Sequence, residues 1–311
     1  MKPKKLYIVG NGFDLYHGIK SLYRDFRYYL EEEDPALLLM LEKYFDDESL
    51  WSDFEETLAD LDIEQIFHET RCFFVQYGDD NWSDANHHDY EYEVQQRIDK
   101  ITCDLKILFT KWILQLELPY DAICKKLQLN NNDFFINFNY TDTIESLYNI
   151  PSKNILYIHN KAINIDSTLI LGHSRNLKTI KSFCEYINDE DTDVRDVEGN
   201  KILDSYFELT YKSTKEIIKQ NILLFNSLNT IDEIIVLGHS LSEVDLPYLK
   251  KIIQKINRKT TKWKISAYNI KELTHHKHVM INLGVKSSLI EYGTIKDFDE
   301  SDLTLFPKCK L

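Results

Sequence analysis

Five apolar runs in this 311-residue chain each end on groups able to do chemistry. The first delivers Gly10-Asn11-Gly12-Phe13-Asp14, with His17 three residues further on. The second delivers Asn137, Asn139, Tyr140, Thr141 and Glu145, within "NFNYTDTIE". Then follow His159-Asn160, Gly172-His173-Ser174 and Gly238-His239-Ser240. A Gly-x-Gly turn lets backbone N–H groups approach a phosphate, and equally makes a tight strand-to-helix corner. The third glycine of a full G-x-G-x-x-G is absent, since position 15 is Leu15. An amide such as Asn139 suits ribose hydroxyls or a positioned water, or caps the next helix. A histidine such as His159 works as a general base near neutral pH, or packs as a satisfied core residue. Asp14 or Glu145 would stabilise developing positive charge.

The segments that carry these groups read as buried strands. Residues 6–10, 134–138, 155–159, 168–172, 233–238 and 263–268 are short, β-branched or aromatic, and largely non-alternating. Such runs fit a parallel sheet covered on both faces, with "VKSSLIEY" (285–292) as a last strand. Helices are predicted over 21–33, 245–257 and 271–284, the last ending at Gly284. From residue 94 the apolar positions Val94, Ile98, Ile101, Leu105, Leu108 and Trp112 form one stripe of a long helix. "WSDFEETL" carries Ser52-x-x-Glu55, a capping-box spacing, and Ser242-x-x-Asp245 is a second cap candidate. "GDDNWSDANHHDYE" (78–91) reads as a polar loop. "EYINDEDTDVRDVEGN" (185–200) reads as a solvated acidic loop that a helical stretch follows. The fold expected is α/β, a Rossmann-like, doubly wound, mostly parallel sheet. Residues 1–34 and 130–311 would form its core, 35–129 a helical insertion and 175–230 a second insertion. Ligands of such sheets bind beyond the carboxyl ends of the strands, where all five polar groups fall.

Composition narrows the function. The net charge of −14 disfavours a protein that tracks nucleic acid, which is held chiefly by Lys and Arg on phosphates. Five dispersed cysteines, at 72, 103, 124, 184 and 309, offer neither a zinc ribbon nor a disulfide framework and fit a reducing cytoplasm. No run approaches the length of a membrane span, and no metal is expected; His87-His88 reads as a loop pair. The expectation is a cytoplasmic protein with a small nucleotide ligand, free to form homo-oligomers. Gly238-x-Ser240-x-Ser242 also mimics a hydrolase nucleophile elbow, for which Asp245 and one of His275, His276 or His278 could complete a triad. Ser242 stands where that motif has glycine, and no oxyanion motif accompanies it.

Taken together, "LYIVGNGFDLYHGIKSLYRDF", "WSDFEETL", "FNYTDTIESLY", "LILGHS" and "VLGHSLSEVDLPYL" resemble the bacteriophage abortive-infection AbiH family, in order and over nearly the whole chain. That pattern is in turn similar to sirtuin-like proteins, which bind NAD in a Rossmann-like fold. The resemblance implies a Gly10-Asn11-Gly12 first turn, a block at Asn139-Tyr140-Thr141, a catalytic histidine at His159 and a late turn at Gly238-His239-Ser240-Leu241. It implies NAD as substrate or ligand, and depletion of NAD when a phage-derived trigger appears. Asn139 and His159 would be catalytic. Gly10, Asn11, Gly12, Phe13, Asp14, His17, Tyr140, Thr141, His173, Gly238, His239, Ser240 and Asp245 would line the ligand. The chain departs from the sirtuin-like pattern at Asn160, where glycine is usual, and at Thr141, where aspartate is usual. It lacks the zinc cysteines of deacetylating sirtuins.

Overall fold

Six parallel strands are laid side by side in the order β3-β2-β1-β4-β5-β6. They are β1 (Lys5–Val9), β2 (Phe134–Asn137), β3 (Ile155–Tyr157), β4 (Glu233–Leu237), β5 (Lys262–Ser266) and β6 (Ile290–Gly293). This is the strand order of the doubly wound Rossmann sheet, whose winding reverses between β1 and β4. The register runs Leu6 to Phe134 and Ile234, and Val9 to Asn137 and Leu237, so the first, second and fourth strands end level. These details come from a computed structural model, which describes residues 4–186 and 193–299.

Strand residues alternate between two cores, as the period of a pleated strand requires. Leu6, Ile8, Ile136, Ile234, Val236 and Ile265 meet Leu249, Ile252 and Ile253 of the helix Leu246–Lys255. Tyr7, Val9, Phe135, Ile235 and Leu237 meet Phe13, Ile144, Leu147 and Tyr148 on the other face. Both faces are therefore covered, which is why the strands read as continuous apolar runs.

Two compact units emerge from the contacts. One comprises Met1–Leu22, Ile113–Ile170 and Ser213–Leu311, and holds the sheet. The other comprises Tyr23–Trp112 and Leu171–Lys212, and is helical. In the helical unit Tyr23, Phe26, Phe54, Phe109 and Trp112 pack as one aromatic cluster, with ring centres 4.9–6.3 Å apart. The stripe from Val94 to Trp112 is buried as expected, although a π-helical turn, Lys100–Asp104, joins its two α-helical halves. No helix among the described residues is long and apolar enough to cross a membrane.

Local expectations fail in four places. Among the described residues, 168–172 join no strand of the sheet: Leu169 and Leu171 are buried, but Gly172 turns away at φ 158°, and the isolated bridge beside it pairs His173 with Tyr211. Burial alone made that run apolar. The Ser52–Glu55 capping box does not form; Asp53 stands at the N-cap, Ser52 bonds Ser49 and Asp53, and Glu55 turns inward. The polar loop ends early, because Asp89 already opens the helix Asp89–Asp99. The acidic stretch is helical from Val194: Asp193 accepts from the Arg195 amide and grips its guanidinium, which lies 4.2 Å from the Phe74 ring and 4.4 Å from Tyr77. The part of that stretch at 187–192 lies outside the described residues.

Candidate functional site

The turns after β1 and β4 lie against each other at the reversal point. The Gly10 amide donates to Leu237 O at 3.0 Å, the Gly12 amide to Gly238 O at 2.7 Å and the Phe13 amide to Gly10 O at 2.9 Å. A Cβ on Gly10 would sit 2.6 Å from His239 Cα, and one on Gly12 would sit 2.7 Å from Gly238 Cα. Gly238 itself has φ +64°, and its Cβ would sit 2.2 Å from the Phe13 nitrogen. These glycines let two backbones touch, and three amides that would face an anion are occupied by carbonyls. Asn11 is drawn away by an exchange with Ser21: its Nδ2 donates to Ser21 O at 2.7 Å and its Oδ1 accepts from Ser21 Oγ at 2.5 Å.

Phe13 and His17 pack into the sheet-facing core. His17 Nδ1 lies 2.7 Å from Phe13 O and Nε2 2.8 Å from the Tyr148 hydroxyl, which accepts from the Leu127 amide at 3.0 Å. A carbonyl only accepts, so Nδ1 carries the proton and Nε2 receives the Tyr148 O–H. Burial holds the His17 imidazole below its ordinary range, despite the Phe13 carbonyl. Tyr148, which the sequence did not single out, completes this chain.

Around Asp14 the loop after β2 folds on its own polar groups. Asp14 is 1% exposed; its Oδ2 accepts from Thr141 Oγ1 at 2.6 Å, and Thr143 Oγ1 donates to Thr141 Oγ1 at 3.2 Å. Asn139 Nδ2 donates to Gly10 O at 3.1 Å, and the Asn139 amide donates to Asn137 Oδ1 at 3.1 Å. Burial raises the Asp14 carboxyl from 3.8 to about 6, against the lowering effect of Thr141, Thr143 and Asn139. Only neutral groups donate to this carboxylate, so its proton is available near neutrality. Tyr140 donates its hydroxyl to Ile170 O at 3.0 Å. Glu145 pairs with Lys161 instead of facing Asp14's group.

A second polar group lies where β3 and β4 end. His159 Nε2 is 3.5 Å from Asp245 Oδ1, and His239 Nε2 is 3.4 Å from Asp245 Oδ2. All three are more than nine-tenths buried. The His239 Nδ1 accepts from the Leu241 amide at 2.9 Å, which leaves the proton on Nε2, toward the carboxylate. The Phe138 ring stands edge-on to both imidazoles, at 5.5 Å from His159 and 4.3 Å from His239. Phe138 closes a strand-like run and carried no sequence signal beyond that. Gly10 joins the two groups, since Asn139 donates to its carbonyl and His239 borders its α-carbon.

Other candidates have other partners. Ser240 is exposed, while His275 and His276 lie by the backbone carbonyls of Leu241 (3.3 Å) and Ser240 (3.2 Å), leaving no triad on the Ser240 hydroxyl. Ser242 does not cap with its side chain, and its hydroxyl is 3.5 Å from Asp245 Oδ2. His173 belongs to the helical unit, where its amide donates to Thr210 O (2.9 Å) and its carbonyl accepts from the Lys212 amide (2.7 Å). Burial pushes its imidazole down to about 4. Glu55, in the same unit, pairs with the fully buried Lys212 ammonium, a partner that sequence reading missed because 157 positions separate them. Among the described residues, no three His, Cys, Asp or Glu side chains converge as a metal ion would require.

A family model described as "Bacteriophage abortive infection AbiH" matches residues 6–267. The chain belongs to the AbiH family. Membership implies a role in bacteriophage abortive infection, and the matched span contains both polar groups at the strand ends. No curated protein and no solved structure matches this AbiH-family chain.

Proposed function

We propose that this AbiH-family chain is an abortive-infection effector that binds NAD at the carboxyl ends of β1 to β4 and hydrolyses its nicotinamide–ribose bond. The supporting observation is the pair of buried polar groups, Asp14–Thr141–Asn139 and His159–Asp245–His239, meeting at Gly10 on the reversal point of the sheet. On the ribose side the residue types suit the reaction. Asn139 would hold ribose hydroxyls and orient a water, and His159 would take the proton that water loses as its oxygen joins the ribose carbon. Asp14 Oδ1 is buried without a hydrogen-bond partner and would face the positive charge that builds as neutral nicotinamide leaves. The pyrophosphate side fits only after exchange, because the Gly10 and Gly12 amides already hold the β4 turn. The setting proposed is the cytoplasm, with a phage-derived trigger causing that exchange.

The test is nicotinamide release by the purified full chain with NAD, with and without lysate of phage-infected cells. Turnover should fall by about 100-fold or more in Asn139→Ala and His159→Ala, with loss of protection against phage. No turnover under any condition, with both variants still protective, would overturn the reading. A second reading, a nucleotide sensor without catalysis, is favoured by the burial of every charged or amide side chain at the site to 7% exposure or less. Saturable calorimetric binding of NAD that is recovered intact would select it.

A further inference from the structure

Between Asp245 and Glu272 the chain has no acidic residue. With 51 Asp and Glu in 311 residues, a stretch of that length would hold about four at the average density. The same stretch carries Lys250, Lys251, Lys255, Arg258, Lys259 and Lys262. They lie on the helix Leu246–Lys255, on the turn after it and on the first residue of β5. Leu249, Ile252 and Ile253 hold one side of that helix in the core, so the helical period leaves Lys250, Lys251, Gln254 and Lys255 on the solvent side. Lys250, Arg258, Lys259 and Lys262 are exposed, and Lys251 and Lys255 are half-buried. Among the described residues, none of these five lysines is held in an ion pair.

Local structure accounts for part of this charge only. The helix dipole favours Lys255, in the last turn, and Arg258 caps the helix end, its Nε donating to Ile253 O at 3.0 Å. Lys250 and Lys251 lie nearer the middle of the helix, where the dipole has no hold. Past the helix, Asn257 Oδ1 accepts from the Lys259 amide at 3.1 Å, which fixes the turn that carries the cations on toward β5. Of the bordering acids, Glu233 is paired with Lys5 at 3.4 Å and with Lys264 at 3.3 Å. Asp232 lies by Lys262, whose amide donates to the Asp232 carbonyl at 3.0 Å, and offsets one cation at most.

We propose that this face binds the phosphodiester backbone of a nucleic acid, without reading its sequence. From Lys250 to Lys255 the helix covers about 8 Å, a length over which a duplex carries about five phosphate charges. Gln254, Asn257 and Thr260 are exposed among the cations and offer amides and a hydroxyl to phosphate and sugar oxygens. No large apolar side chain is exposed between residues 246 and 262, so the face lacks the anchor of a protein interface and the wedge of a membrane-surface helix. A partner held by charge alone fits it. The net charge of −14 repels such a polymer from the rest of the surface, and salt screens that repulsion beyond roughly 10 Å at 0.1 M. Contact is thereby confined to the basic face, and no residue of the proposed NAD site takes part.

The experiment is fluorescence anisotropy of the full chain with a labelled mixed-sequence DNA duplex of about 20 base pairs and with its separated strand, from roughly 50 to 200 mM salt. Saturable binding is expected, with log affinity falling against log salt at a slope of about −3 to −5. Lys250→Gln with Lys251→Gln should weaken binding about 10-fold or more at the lowest salt and flatten the slope by about two. Lys111→Gln with Lys178→Gln, both exposed and in the helical unit, makes the same change in net charge and should alter neither. Absence of binding to duplex and strand at the lowest salt would overturn the proposal, and so would an equal loss in the two double variants. Capture of phosphatidylserine vesicles or polyglutamate through Lys250 and Lys251, with neither nucleic acid bound, would overturn it in favour of a lipid or protein partner. No NAD enters the measurement, so its outcome is separate from that of nicotinamide release.

Discussion

The two units each bury a carboxylate, and they treat it in opposite ways. In the sheet-bearing unit Asp14 is surrounded by hydroxyl and amide donors, and burial raises it to about 6. In the helical unit Glu55 is held by the ammonium of Lys212, itself fully buried. A counter-ion makes Glu55 a fixture of the fold, since its charge and that of Lys212 depend on each other. Neutral partners leave Asp14 with a labile proton, which is costly for stability and useful for chemistry. The same residue class is therefore locked by an ion pair in one unit and left with a labile proton in the other, and the partner decides which.

That contrast can be broken first at Glu55. Replacing it by alanine takes this carboxylate away from the buried Lys212 ammonium, and unfolding free energy from urea titration should drop by about 3–5 kcal/mol. Adding Lys212→Met should recover most of that loss. A single-variant loss below about 1 kcal/mol would mean that Lys212 has another counter-ion.

Asp14 should behave the other way. A carboxyl at 3.8 when unfolded and about 6 when folded stabilises the fold below pH 4, and that contribution is lost as pH rises through 6. Asp14→Asn cannot ionise, so it should gain on wild type by about 2.5 kcal/mol between pH 4 and pH 7.5. Equal pH profiles for the two chains would remove the argument for a labile proton at this position.

The smallest effect belongs to His173, whose imidazole falls from 6.5 to about 4 on folding. Its neutral form favours the fold above pH 6.5, and that contribution is lost as pH drops toward 4. His173→Leu should flatten the acid side of the stability profile by on the order of 1–2 kcal/mol between pH 6.5 and pH 5. A profile as steep as wild type would place the acid sensitivity elsewhere.

The sheet was largely legible because its strands are covered on both faces and so read as unbroken apolar runs. The same rule produced the false strand at 168–172, where Leu169 and Leu171 are buried in a segment that joins no strand of the sheet. Capping patterns misled for a related reason: Ser52 and Glu55 have the spacing, but a buried Lys212 competes for the glutamate and wins. Four of the five strand-end groups could be grouped from chain order alone, since parallel strands deliver their carboxyl ends to one edge, while Gly172-His173-Ser174 follows no strand and lies in the helical unit. Pairings between side chains could not. Asp245 reaches His159 and His239 through a turn whose course the sequence does not dictate, and Tyr148 reaches His17 across 131 positions.

The order of the sheet has a consequence for synthesis on the ribosome. Its central strand, β1, ends at Val9, while the strands that flank it begin at Phe134 and Glu233. At ordinary elongation rates of 5–20 residues per second, β4 trails β1 by roughly 10–45 s. Through that interval "LYIVG" is an apolar strand with an open hydrogen-bonding edge, and the chain has passed between the two units four times before β4 is complete. Nascent chains of this protein should lean on holding chaperones more than a chain whose central strands are neighbours in sequence. Slowing elongation between residues 10 and 130 should lower the soluble yield without altering the stability of the molecules that finish.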